Sequence, residues 1–97
     1  MYEIRFTADA VEDLRWFRKV DCTRILAAVE SQLRDEPAVE SRNRKRLRPN
    51  KLAEWELRID RARVFFDIDQ DDRLIQVRAV GYKGGSRLLI HGEEYEL

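Results

Sequence analysis

Residues 42–69, RNRKRLRPNKLAEWELRIDRARVFFDID, join a block of cations to two alternating runs with a tight turn between them. Trp55, Leu57 and Ile59 alternate with Glu56, Arg58 and Asp60, while Val64, Phe66 and Ile68 alternate with Arg63, Phe65 and Asp67. A period of two is the pattern of half-buried strands. It predicts a hairpin with strands at about 54–60 and 62–69, one face apolar and the other carrying arginine.

Upstream of the hairpin lie Arg42, Arg44, Lys45, Arg46, Arg48 and Lys51, with Pro49-Asn50 placed to turn the chain into the first strand. By composition this block reads as a solvated loop or frayed helix end, or as a surface for a polyanion. Asp35–Ser41 reads as a polar loop. Before it, Cys22, Leu26, Val29 and Leu33, with Ile25 alongside, follow a helical period that Asp21 or Thr23 would cap and Pro37 would end. Ala10, Leu14 and Phe17 mark an earlier helix over about residues 8–19, with Thr7 as its N-cap. The short connection predicts an antiparallel helix hairpin laid on one face of a sheet. Tyr2, Ile4 and Phe6 alternate with Glu3 and Arg5 as a first strand.

Downstream, Asp67, Asp69, Asp71 and Asp72 resemble a calcium loop only superficially. Asp72 stands where such a loop needs glycine, and Arg78 where it needs its closing glutamate. Residues Arg73–Gly81 read as a last long strand, with Ile75, Val77 and Ala79 on one face and Gln76, Arg78 and Val80 on the other. The YKGGS loop lacks the spacing of a phosphate-binding loop. Leu88, Leu89 and Ile90 form a short apolar run before an acidic tail of Glu93, Glu94 and Glu96.

These elements fit one domain, residues 1–97, of α+β class: an N-terminal strand, then a helix hairpin on one face of a mainly antiparallel sheet of about four strands. Charge is segregated within a net balance of zero. Residues 1–41, 42–63 and 64–97 carry about −3, +6 and −3, so a polyanion would meet the middle segment. One cysteine and one histidine exclude an internal disulfide and a structural zinc site, and no cofactor or metal is expected. No run approaches the roughly 20 apolar residues of a membrane span, and the first residues lack a secretory pattern. A cytoplasmic protein without membrane partners is the expectation.

If the helices cover the Trp55–Ile68 face, the opposite face presents Arg58, Arg63 and Arg78. Three guanidinium groups held together need a counter-charge. Glu56, Asp67 and the acidic tail could supply it from within, or a nucleic-acid phosphate from outside.

The succession strand, two helices and strand meander resembles the RelE/ParE superfamily of bacterial type II toxins. The resemblance is carried by R-L-R-x-N, by Trp55-x-Leu57-Arg58, by Arg63-Val64-x-Phe66 and by Ala79-Val80-Gly81-x-Lys83, in that order over nearly the whole chain. It implies a ribosome-dependent, metal-independent endonuclease that cuts messenger RNA and is silenced by a cognate antitoxin. The superfamily's other branch implies a DNA gyrase inhibitor without chemistry of its own, and a degenerate homologue that only binds antitoxin is a third reading.

By local alignment Arg58, Arg63 and Lys83 fall where the nucleases place cations. Glu56 stands at an often basic position, and Leu89 near a usual aromatic. Such cleavage needs the 2′-OH deprotonated, the pentavalent phosphate stabilised and the leaving oxygen protonated. Arg58, Arg63 and Lys83 supply charge, His91 or Tyr95 is the candidate acid, and Lys83, Glu56 or His91 the candidate base. Arg44, Lys45, Arg46, Arg48, Lys51 and Arg78 are the candidate RNA-binding cations. Exposed Leu88, Leu89 and Ile90 are the candidate antitoxin-binding surface.

Overall fold

The computed structural model describes residues 1–97. Strand β1 (Glu3–Phe6) leads into helix α1 (Ala8–Leu14), and after a short turn helix α2 (Lys19–Leu33) follows. Six further strands complete the chain: β2 (Arg44–Arg46), β3 (Trp55–Ile59), β4 (Ala62–Asp69), β5 (Leu74–Gly84), β6 (Arg87–Ile90) and β7 (Glu93–Tyr95). The sheet has seven strands, not about four, in the order β2-β3-β4-β5-β6-β7, with β1 parallel to β5 and all other pairs antiparallel.

The first helix is shorter than its period implied. Thr7 caps it as expected, its hydroxyl accepting from the Ala10 amide at 3.1 Å, but the helix stops at Leu14. Arg15 and Arg18 fall in the turn, and Lys19 begins α2. Neither Asp21 nor Thr23 caps α2. Asp21 sits in its first turn and meets Arg18 at 3.3 Å, while the Thr23 hydroxyl donates back to the Lys19 carbonyl. Ile25, Val29 and Leu33 form its buried stripe, and Leu26 turns outward, 41% exposed.

The helices rest on different strands, α1 on β5 and β1 and α2 on β3. Beneath them Trp55, Leu57, Val64, Phe66, Ile75, Val77 and Val80 form the main core. Val80 belongs to this face although its parity in the sequence assigns it to the other. A β-bulge explains the exchange: Phe65 pairs with Ala79 but Phe66 with Val77, so Arg78 is an extra residue and alternation inverts beyond it.

The opposite face is not simply polar. Phe65, Ala79, Ala53 and Leu88 form a second, smaller core, flanked by Leu47, Leu52, Ile90 and Tyr95. Consecutive residues Phe65 and Phe66 are both fully buried, one in each core. Gly81 permits the close approach of β6, because a Cβ there would stand 3.0 Å from the Leu88 side chain and from the Leu89 carbonyl. Gly85, at φ +62°, turns β5 into β6.

The basic block is also better ordered than a loop. Arg44, Lys45 and Arg46 pair with Leu57, Glu56 and Trp55 as edge strand β2. Asn50 organises the turn that follows, its amide donating to the Arg48 and Ala53 carbonyls and its oxygen accepting from the Leu52 and Ala53 amides. No helix of the molecule is long and apolar enough to cross a membrane.

Candidate functional site

Arg58 and Arg63 are direct cross-strand partners on β3 and β4, facing away from the helices. Two like charges so placed repel unless compensated. Compensation comes from Glu56, two residues before Arg58 on the same face, which is only 8% exposed and accepts from Arg58 Nε at 3.0 Å. The Arg63 guanidinium donates instead to the carbonyls of Asp60 and Ala62 and makes no ion pair. Burial pushes its pKa down, Glu56 pushes it up and Arg58 pushes it down again. Arg63 is thus a half-buried cation in its charged form with no carboxylate of its own.

Glu56 also lines a cleft of about 370 Å³ with Lys83, Leu88 and Tyr95. Lys83 is placed there by the far end of β5, where its amide donates to the Arg61 carbonyl at 2.7 Å and the residue pairs with Leu88. Its ammonium, like Arg63, makes no ion pair. Tyr95 arrives from β7, opposite Leu88. Two unpaired cations, one salt-bridged arginine, one buried carboxylate and one phenol therefore share a face.

Other expected members go elsewhere. His91 lies in the turn between β6 and β7 and reaches towards α1, its Nε2 lying 2.5 Å from Asp13 and its ring stacked on Trp16. It takes no part in the arginine face. Arg78, carried outward by the bulge, pairs with Asp67 at 2.8 Å. It lines a separate hollow of about 380 Å³ with Arg46, Arg48, Lys51, Glu54 and Asp67. The three strand arginines therefore do not converge.

Among the basic block, Arg44 is committed to structure: its Nε donates to the Val39 carbonyl at 2.6 Å and its Nη1 to the Gln32 carbonyl. Arg46 lies over the Trp55 ring at 5.9 Å and meets Glu54 at 3.6 Å. Lys45, Arg48 and Lys51 remain exposed and unpaired. The expected apolar surface at Leu88–Ile90 is corrected too. Leu88 is 7% exposed within the second core, and Leu89 and Ile90 are half-buried between β5 and β7.

Sequence reasoning gave Tyr95 only a passing role, because an aromatic in an acidic tail has no periodic context. The pairing of Leu88 with both Lys83 and Tyr95 is what brings it to the cleft.

No family model matches the chain, and no curated protein shows a significant match to its sequence. Solved structures do match. A chain of the toxin-antitoxin complex RelBE2 from Mycobacterium tuberculosis superposes with a TM-score of 0.73 at 23% identity, over 84% of this chain and 98% of that one. A chain of the archaeal RelE-RelB complex from Pyrococcus horikoshii OT3 gives a TM-score of 0.70 at 18% identity, over 88% and 98%. The two helices, the mainly antiparallel sheet and their order in this chain are therefore the fold found in RelE-RelB complexes.

Proposed function

We propose that this chain is the toxin of a type II toxin-antitoxin pair, a RelE-like nuclease that cleaves messenger RNA on the ribosome without a metal. The observation that carries this reading is the face on which Arg63 and Lys83, both lacking a carboxylate partner, flank buried Glu56 and Tyr95 on a RelE-like fold.

Phosphodiester cleavage by internal transfer has three demands. A base takes the 2′-OH proton as that oxygen attacks phosphorus. Cations hold the pentavalent intermediate, and an acid protonates the departing 5′-oxygen, leaving a 2′,3′-cyclic phosphate and a 5′-hydroxyl. Arg63 is the cation free to bind phosphate, with Arg58 held beside it by Glu56. Glu56 takes the proton, Lys83 adds positive charge beside it, and Tyr95, lining the same cleft, is the donor. His91 is engaged by Asp13 and has no part in these steps. Arg48, Lys51 and Lys45 carry the flanking strand of RNA, and a cognate antitoxin covers the same cations until it is removed.

The gyrase reading keeps one observation in its favour: Glu56 neutralises Arg58 inside the face where a further free cation would serve cleavage. One experiment separates the two. Purified protein is added to translating ribosomes, and messenger 5′-ends are mapped beside a gyrase supercoiling assay. The nuclease reading expects new 5′-ends that vanish with Arg63→Ala and unchanged supercoiling. Intact messenger with lost supercoiling selects the other.

A further inference from the structure

The turn between β6 and β7 is tied back to α1 by a contact that the proposed chemistry does not use. His91, the only histidine, brings Nε2 to 2.5 Å from Oδ1 of Asp13, which is 4% exposed. The other carboxylate oxygen accepts from the Val80 amide at 2.8 Å. That amide lies on β5 between the segment paired with β1, Leu74–Val77, and the segment paired with β6, Tyr82–Gly84. Asp13 therefore fills a gap in the ladder and holds the hairpin turn with the same group. The imidazole also stacks on Trp16, ring centroids 5.4 Å apart at 17°. His91 and Gly92 take φ of 54° and 73°, and a Cβ at Gly92 would stand 3.2 Å from the Trp16 ring, so both turn residues fit against one indole.

We propose that Asp13, His91 and Trp16 form a proton-operated latch that holds the β6–β7 hairpin against α1, tight when the imidazole is protonated and looser when it is neutral. A protonated imidazole gives a charge-assisted hydrogen bond to a buried carboxylate and a cation against an indole face. Loss of the proton leaves one ordinary hydrogen bond and a neutral stack.

Asp9 on α1 is the other charged group acting on the Asp13 carboxyl, and Glu12 of the same helix is engaged by Arg15 of the following turn. Elsewhere on the hairpin Glu93 follows the turn and Arg87 is paired with Glu94, and on β5 the Tyr82 phenol accepts from Arg61. Burial pushes the Asp13 carboxyl above its ordinary value, while the Val80 amide and His91 pull it down. A carboxyl raised in the folded state favours folding while protonated. That contribution is complete below its unfolded value and fades as pH rises through its folded value. The hairpin carries Leu88 and Tyr95, so the latch sets one wall of the cleft.

The test is an NMR pH titration of the whole chain, in which a single histidine gives an unambiguous ring signal. The latch predicts that amides of residues 87–95 shift in step with the His91 ring. Their exchange protection, corrected for intrinsic rates, should fall severalfold on the basic side, while β3 and β4 stay unchanged. In Asp13→Asn the hairpin response should vanish. A ring titration that leaves the hairpin amides still, or a hairpin response that survives in Asp13→Asn, overturns the proposal. Should that variant not fold, His91→Asn replaces it with a neutral residue that tolerates positive φ. Above the range in which Asp13 itself titrates, its hairpin should show the low, basic-side protection throughout, and pH-dependent protection there also overturns the latch.

Discussion

The two faces of the sheet come from the same alternating strands, yet one is closed by helices and the other by the chain's own loop and C-terminal hairpin. The helix face buries a continuous set of large side chains from β3, β4 and β5. The other face buries only a small cluster about Phe65, leaving a cleft beside it lined by Glu56 and Lys83, with Arg63 paired across the strands from Arg58. A wide apolar contact stabilises one side, and the smaller contact on the other keeps charged groups at the edge of a core. Burial lowers the effective dielectric there, and under the proposed nuclease reading it strengthens their action on a phosphate.

The comparison breaks most visibly at Phe66, which is fully buried against Trp55 with ring centroids 6.2 Å apart. Phe66→Ala is expected to cost about 3–5 kcal/mol, read as a lower denaturation midpoint. Messenger cleavage should fall only in proportion to the unfolded fraction. Next comes Arg63→Ala, which should lower the cleavage rate by about 10²–10³-fold, the range for removing one group that stabilises transition-state charge. Stability should change by less than about 1.5 kcal/mol, since the guanidinium's own bonds reach only its local turn. If Arg63→Ala cuts at the wild-type rate, or lowers stability as much as Phe66→Ala does, the two faces do not divide the work as described.

The helix-side half of this division was legible in the sequence, and the other half was not. Trp55, Leu57, Val64 and Phe66 announce themselves because each strand has a dry and a wet side at that point, so period two survives. Phe65 occupies a wet-side position and reads as an exposed exception, since the Leu47–Ala53 loop on one side and Leu88 and Tyr95 on the other are what dry it. Ala79 and Val80 exchange faces because a bulge at Arg78 changes the phase of pairing without any mark in composition.

Strands β6 and β7 were missed because Leu88-Leu89-Ile90 is an unbroken apolar run and Glu93-Glu94-Tyr95 almost wholly polar, so neither alternates. Among the candidate site residues, Arg58 and Arg63 follow from register alone. His91 meets Asp13, which lies far away in sequence, so no local pattern marks that contact.

The basic block sharpens the comparison further, because its members serve different faces. Arg44 points to the α2 end, where it satisfies the Gln32 and Val39 carbonyls. Arg44→Ala leaves both acceptors without that donor and should cost about 1–3 kcal/mol of stability with cleavage per folded molecule unchanged. Thermal unfolding beside activity measures both.

The smallest effect expected is at Arg46, and it discriminates between two views of the block. Its guanidinium lies 5.9 Å above the Trp55 ring and 3.6 Å from a well-exposed Glu54, contacts that together stabilise by about 0.5–1 kcal/mol. If that is all Arg46 does, Arg46→Ala lowers stability slightly and leaves RNA affinity and its salt dependence alone. Arg46 also borders the hollow with Arg48, Lys51 and Arg78, however, and a phosphate bound there would recruit it. Losing one phosphate contact lowers the slope of log affinity against log salt by about 0.7 for single-stranded RNA. Binding measured across salt for Arg46→Ala beside Arg48→Ala separates the views. An unchanged slope for the first and a reduced slope for the second would assign Arg46 to the helix-side core and Arg48 to the RNA.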